Sequence, residues 1–459
     1  MADVHHIHYD LDQKYVFTAG QKKNLLIAMV VGLILFVVGA VLVYTGVGSH
    51  HETHKGKEDT HKVEGKQQHQ EAGKEAHQAE HHYNPLTRVW ANLWLNSTFF
   101  MYISVMGVFF VAVQYVAYAG WSAGIRRVAE SFGAFIPIAG AILLVVFFVG
   151  GHDLFHWTHH DLYEKGKPTF DKILNAKSAY FFFPLEAGSF PFFWVFRTLL
   201  YIGVWYGMYR VIRNMSIKED FLTEKGDYTY HKKNITFGAI FIVIFGYTES
   251  TSAWDWIMSI DPHWYSTMYG WYVFASSWVS ALAVLTLAVV YLKEQGYLKM
   301  VNENHLHDLG KFMFGFSIFW AYIWFSQFLL QSYSNIPEET IYWDERMDGL
   351  EGVYSPLIIF NVIVNFAFPF LFLMTRDAKR KTIFLKVTAF GILAGHYLDF
   401  FVMIMPGTTK GNGGFFILEI GTLLLFASAF VYVFATTLSK ALVVAKNHPM
   451  LEESYHHNI

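Results

Sequence analysis

Apart from tyrosines and the Lys and Arg near run ends, six ionisable residues lie inside long apolar runs of this chain: Arg197, Glu249, Asp255, His396, Asp399 and Glu419. A charge in hydrocarbon is costly, so each is a functional candidate by position alone. His396 and Asp399 are three residues apart and share one helix face. An imidazole beside a carboxylate can hand on a proton; the same pair can also simply hold helices together. Glu249 belongs to Thr248-Glu249-Ser250-Thr251-Ser252, a row of hydroxyls and acid that makes one stretch of helix wet. Such a stretch suits a proton path, or the hydrogen bonds by which membrane helices associate. Arg197 falls about ten residues into its run, near a midplane, a position that suits either pairing with a carboxylate that spacing alone does not name or marking the inner end of a cavity.

The remaining chemistry sits at run ends. His152 and Asp153 close one run and open Gly151-His152-Asp153-Leu154-Phe155-His156-Trp157-Thr158-His159-His160. This has the HxxxH and HxxHH spacing of di-iron enzymes, but those need about three such boxes, and no second one follows. A bis-His haem needs two histidines on different helices, and only His396 is well inside. No metal site is therefore expected. The carboxylates and histidines are expected together in the external half, the internal half offering Arg197, Tyr322 and the hydroxyls of Ser276, Ser277 and Ser280. Protonatable groups on one side suit a reaction that releases protons there, as quinol oxidation does. Trp254, Trp256, Trp264, Tyr265, Tyr269, Trp271 and Tyr272 gather at the same end, as a quinone surface, an aromatic belt or a docking face would.

The elements that must position these groups follow from composition. Of 459 residues, 54% are hydrophobic and 15% charged, well below the roughly 25% charge of soluble domains. Net charge is −3, which gives no attraction for nucleic acid. Cysteine is absent, excluding disulfides, thiolate-held iron–sulfur clusters, CxxCH haem and thiol catalysis.

Ten runs are long enough to cross a bilayer: 24–47, 91–119, 133–151, 187–211, 234–258, 267–292, 311–332, 354–375, 382–405 and 414–440. The first is too long for a signal peptide and is read as retained. Lys and Arg collect in alternate loops. The 4–5 loop has six, whereas the 5–6 loop has none, and 7–8 and 9–10 have only Arg346 and Lys410. That bias places both termini in the cytoplasm. Segment 48–90 carries eight histidines among Lys, Glu, Gln and Gly and reads as a solvated periplasmic loop.

Asp255 and Asp399 share a pattern: an aromatic residue next, Ile at plus five and Pro at plus seven. This suggests two related four-helix groups, spans 2–5 and 6–9. The expected fold is thus all-α and integral to the membrane: ten transmembrane helices, two four-helix bundles, and flanking spans 1 and 10. Its divisions are 1–47 with the first span, 48–90 the loop, 91–258 and 259–405 the two bundles, and 406–459 the last span and a cytoplasmic tail.

The segment Ser259-Ile260-Asp261-Pro262-His263-Trp264-Tyr265-Ser266-Thr267-Met268-Tyr269-Gly270-Trp271, preceded by Trp254-Asp255-Trp256, resembles the membrane subunits of bacterial alternative complex III, a quinol:cytochrome c oxidoreductase. These belong to the NrfD/polysulfide-reductase membrane-subunit family. The likeness covers roughly residues 90–405. Of the two subunit types with this plan, ActC and ActF, the chain looks more like ActF, from its size, its long polar 1–2 loop and its His-rich segment after span 3.

The resemblance implies a respiratory complex in the bacterial inner membrane. Partners would be a multihaem cytochrome c, an iron–sulfur subunit, ActC, ActD and ActE (small membrane subunits and a monohaem cytochrome c), and in some bacteria a haem–copper oxidase. Haems and clusters would sit on those partners; the ligand near this chain would be a quinol such as menaquinol, or lipid, with nothing bound covalently. His152, Asp153, Asp261 and His263 are the possible equivalents of quinone-site groups. Glu249, Asp255, His396, Asp399, Arg197 and Glu419 would form a proton route. The chain would then be a scaffold with a proton path rather than the redox-active subunit. A secondary transporter and a purely structural anchor are the competing readings.

Overall fold

A computed structural model describes residues 12–46, 84–222, 227–347 and 349–458. The periplasmic-loop reading, with its eight histidines, falls on residues outside the described ones up to 83. Among the described residues the chain is all-helical apart from one isolated antiparallel bridge, Lys14 to Leu442.

We number the long helices α1 (Ala19–Tyr44), α2 (Pro85–Val116), α3 (Ile136–Leu154), α4 (Phe192–Glu219), α5 (Thr229–Trp256), α6 (Met268–Glu294), α7 (Glu303–Ser334), α8 (Ser355–Phe372), α9 (Thr382–Thr409) and α10 (Ile417–Leu438). Nine of these, among the described residues, are long and apolar enough to cross a membrane. The exception is α4. It has the length, but Arg197, Arg210 and Arg213 and several tyrosines dilute its apolar content.

Local sequence sets the helix ends. The Asn84 side chain accepts the Leu86 N–H and Pro85 takes the first turn, where no N–H is needed. Asn302 caps α7 and Thr18 caps α1 in the same way. Helix α2 therefore starts six residues before the apolar run, and α7 eight residues before it. Helix α4 starts later than the run because Pro184, Gly188 and Pro191 precede it. In α8, Pro369 lacks an N–H and would press on the carbonyl of Asn365. The helix widens to a π turn over Ile363–Ala367, where that strain falls.

Helix α2 is the central element, buried along most of its length. It packs on α3 and α5, and α4 packs on α5. The second group repeats the order: α6 packs on α7 and α9, and α8 on α9. Helices α2 and α5 face α6, and α2 also faces α9. Helices α1 and α10 form a flanking pair. A side chain on Gly32, Gly39 or Gly421 would strike the facing backbone within 2.7 Å, so these glycines permit the close approach. After α10, residues 440–458 run back across the helix ends, burying Ala441, Val443, Val444, Ala445, His448, Leu451 and Ser454.

Candidate functional site

Asp255 and Asp399 are the centres of two buried hydrogen-bond hubs. Asp255 lies one residue before the end of α5. Arg197 grips it with two bonds, Nε at 2.8 Å and Nη2 at 2.7 Å, and Tyr201 donates at 2.8 Å. The carbonyls that α5 exposes at its end are also met. Trp194 Nε1 and Ser259 Oγ donate to Asp255 O, and Trp94 Nε1 to Trp256 O. Arg197 is the sixth residue of α4, not the tenth of its run. It therefore sits with Asp255 near a helix end, and the midplane placement is corrected. The late start of α4 is the reason.

Asp399 is fully buried on α9. Asn361 Nδ2 donates to it at 2.7 Å, Trp320 Nε1 at 2.9 Å, and the Tyr272 hydroxyl as well. Its neighbour His396 holds Nδ1 3.0 Å from Ser276 Oγ and 3.8 Å from Asp399, while His396 Nε2 has no hydrogen-bond partner. Asn365, at the π turn, donates to Asn361 Oδ1, and its own Oδ1 is buried without a donor. Gly395 makes room for it, since a Cβ there would lie 2.1 Å from Asn365 Oδ1.

The two hubs match position by position. Three residues before each aspartate, the fourth helix bonds to the first: Ser252 to Tyr102 at 2.9 Å, His396 to Ser276 at 3.0 Å. The third helix supplies a donor to each aspartate, Arg197 in one group and Asn361 in the other. A file of rings, Trp256, Tyr102 and Phe400, runs from the residue after Asp255 to the residue after Asp399. The hubs are thus separate, with aromatic carbon between them.

The other predicted residues scatter. Glu249 is buried on α5. Ser250 reaches Oε2 at 3.4 Å, and Oε1 has no partner. Glu419 is committed at the start of α10. Arg88 grips both its oxygens at 2.8 and 3.0 Å, Asn92 adds a third bond, and Glu419 itself accepts the Phe416 N–H. That is a helix-end clamp, and Glu419 leaves the proton-route set on this geometry. Arg88 escaped the sequence reading because it stands three residues before the apolar run.

The four possible quinone-site groups do not form one pocket. His152 Nδ1 meets Thr158 Oγ1 at 2.9 Å, and Asp153 accepts from Asn84. His263 pairs with Asp171 at 2.5 Å, and Asp261 with Arg346 at 2.9 Å. A cavity of about 460 Å³ lies elsewhere, lined by Leu371, Phe372, Thr375, Asp377, Lys381 and Phe384 among others. The residues therefore do not fit a quinol as a set. The imidazoles of His152, His159, His156 and His263 instead follow one another at ring distances of 5.5, 5.9 and 6.3 Å. Among the described residues no group of three or more His, Asp or Glu is placed to hold a metal.

Arg346, read from sequence only as a lone loop charge, ties this end together. Pro406 leaves the Val402 carbonyl inside α9 without its usual N–H. Arg346 Nε donates to it at 3.1 Å, and Nη2 reaches Met403 O at 3.2 Å and Asp261 at 2.9 Å. Its guanidinium lies 3.5 Å from the Tyr342 ring centre.

The expectation that carboxylates and histidines keep to one end covers groups inside the apolar runs; buried ones just outside the runs extend to the other end. Glu130, Glu219, His231, His305, His307 and Asp308 are buried near the opposite helix ends. They flank the apolar runs and read as loop charges, but the chain beyond α10 covers them: His448 bonds to Arg126 and His457 to Asp308.

Together these features define a helical, multi-pass type of membrane protein with ionisable hubs in its core. Neither a protein-family model nor a curated protein matches the chain.

Proposed function

We propose that the chain is the ActF-like membrane subunit of a bacterial quinol:cytochrome c oxidoreductase of the alternative complex III type. It scaffolds the complex in the cytoplasmic membrane and carries protons. Partner subunits hold the haems and iron–sulfur clusters, and quinol oxidation takes place on a partner.

The observation that carries the reading is the His396–Asp399 hub. It is fully buried, held by donors from three helices, and retains one imidazole nitrogen free of hydrogen bonds. Buried ring nitrogens without a partner are exceptions, and an open nitrogen beside a carboxylate suits a group that takes and returns a proton. The separation of the Asp255 and Asp399 hubs supports two parallel routes rather than one chain of six residues.

The topology proposed is ten crossings with both termini in the cytoplasm. The segments before α1 and after α10 meet: Lys446 pairs with Asp12 at 2.8 Å, and the Val443 N–H donates to Gln13 O. Ends on one side require an even number of crossings, so α4 counts as a span. A transporter is less well supported. Transporter repeats place broken helices at matching positions, but α8 is interrupted by its π turn while α4, its counterpart, is continuous.

The first test is a reduced-minus-oxidised visible spectrum of the tagged chain purified from native membranes. The chain has no cysteine for c-type haem, so a strong c-haem signal reports its partners. A colourless, stable preparation would overturn the proposal.

A further inference from the structure

The end of the first helix group opposite Asp255 holds a second buried ionic cluster. Glu130 closes the short helix Arg126–Glu130, and Glu219 is the last residue of α4. They are 2% and 1% exposed; neither Glu219 oxygen has a hydrogen-bond partner, and the Ser216 hydroxyl is the one side-chain donor beside Glu130, without a well-formed bond to it. The nearest cationic groups stand off. Arg213 Nη1 is 3.8 Å from Glu130, and His231 Nδ1, itself without a hydrogen bond, is 3.9 Å from Glu219.

The guanidiniums are engaged elsewhere. Arg213 donates to Ser131 Oγ and Thr437 O. Arg127 takes both oxygens of Asp220 and the carbonyls of Ser216, Leu442 and Val444. Arg126 donates to His448 Nε2 at 2.6 Å and to the Gln114 and Ala119 carbonyls. Tyr115 of α2 and Tyr209 of α4 complete the titratable groups that face the cluster, Tyr115 lying over the Arg126 guanidinium. Lys446 turns its amine outward to Asp12.

Residues 440–448 form a roof over this cluster. Asn447 Nδ2 donates to the Glu219, Asp220 and Leu222 carbonyls, so it caps the end of α4. The Lys446 N–H bonds to Asp220, and the His448 ring stands edge-on to His231 at 4.8 Å.

We infer that Glu130 and Glu219, with His231 beside Glu219, form a second proton-binding site, roofed by the chain's own segment 440–448. With its carboxylates ionised, Arg126, Arg127 and Arg213 balance Glu130, Glu219 and Asp220. A hydronium gives its proton to one carboxylate oxygen and leaves as water, and the cluster charge rises from zero to +1. Buried carboxylates usually have donors for every oxygen; here a proton takes the place of the missing donor. Use of this proton in turnover rests on the function proposed above, but its binding does not.

Infrared difference spectra of the resting, purified protein test the binding without turnover. Between about pH 9 and about pH 5, a carboxylic-acid C=O band should grow in, shift in D2O, and lose intensity in Glu130→Gln or Glu219→Gln. In His448→Ala the deuterium shift should develop at least several-fold faster, because the roof is loosened. A wild-type band that is absent, or that both Gln variants keep in full, overturns the site. If the Gln variants do not assemble, Glu130→Asp and Glu219→Asp serve instead: a changed band frequency in either supports the site, and unchanged frequency in both overturns it. A site that binds its proton in a protein lacking quinol-driven proton release would refute the proposed function and leave this inference standing.

Discussion

Buried charges divide here into those that are closed and those that are open. Arg88–Glu419 is closed: every carboxylate oxygen is met, from one helix, α2, and a backbone N–H. Removing one partner of such a pair strands the other, typically at about 3–5 kcal/mol. Arg88→Ala should therefore lower the thermal midpoint in detergent sharply, whereas Arg88→Met with Glu419→Met should recover much of the loss. Equal damage from the single and double variants would refute the clamp. His396–Asp399 is open at Nε2. Asp399→Asn keeps the size and the capacity to accept from Trp320, but not the charge. On the proposed function, it should cut quinol-driven proton release by about tenfold or more without loss of assembly, a modest share of what positioned proton transfer contributes. Unchanged proton release per electron in that variant would make the hub structural.

Of these residues, His396, Asp399 and Asp255 were legible because ionisable groups stand out inside apolar runs. Arg88, Glu130 and Glu219 were not. Each lies at a run edge, where a charge is unremarkable; Arg88 meets Glu419 and the Glu219 carbonyl meets Asn447, both more than 200 residues on, while Glu130 faces Arg213 of α4. Asp255 was visible, but Arg197 as its partner was not, since spacing along one helix says nothing about the register of the next.

At the scale of the helix, nine of the ten apolar runs fall on helices apolar enough to cross a membrane among the described residues, the tenth falls on the less apolar α4, and caps and prolines moved the ends. The π turn of α8 is the feature that hydropathy does not carry. It brings Asn365 against Gly395 on α9, where a Cβ would lie 2.1 Å from the amide oxygen. Gly395→Ala should thus overpack this contact and cost about 1–3 kcal/mol, read as a fall in thermal midpoint. It should also disturb Asn361, the donor to Asp399, so proton release should fall along with stability. Gly203→Ala on α4, where nothing lies within 4 Å of a new Cβ, is the control and should change neither. Similar losses in both variants would refute the close packing at Gly395.

For the molecule as a whole, the segment beyond α10 links parts that the helices leave apart. His448 holds its imidazole against Arg126, and burial together with that guanidinium pushes its pKa well below the usual histidine value. The unfolded or undocked segment then binds more protons than the docked one once pH falls below about 6.5. The His448 share of docking is thus fully present above that pH and is lost as pH drops toward the lowered value, opposite in sign to proton uptake by Glu130 and Glu219. Amide hydrogen exchange across 440–458 should accelerate on going from about pH 8 to about pH 5.5, after correction for intrinsic rates. His448→Gln should flatten that pH dependence. Protection that is independent of pH in the native protein would refute the histidine's part in it.

The same segment bears on how the molecule is made. Residues 440–458 are synthesised after all ten helices, yet they contact the stretch before α1 through Asp12 and Gln13, the first group through Arg126 and Asp220, and the second through His305 and Asp308. Each of those surfaces must wait, wet and unfinished, until synthesis has passed α10. Completion of this face is therefore timed to follow translation of the whole bundle, and a ribosome stalled before residue 440 yields helices that lack their final latch.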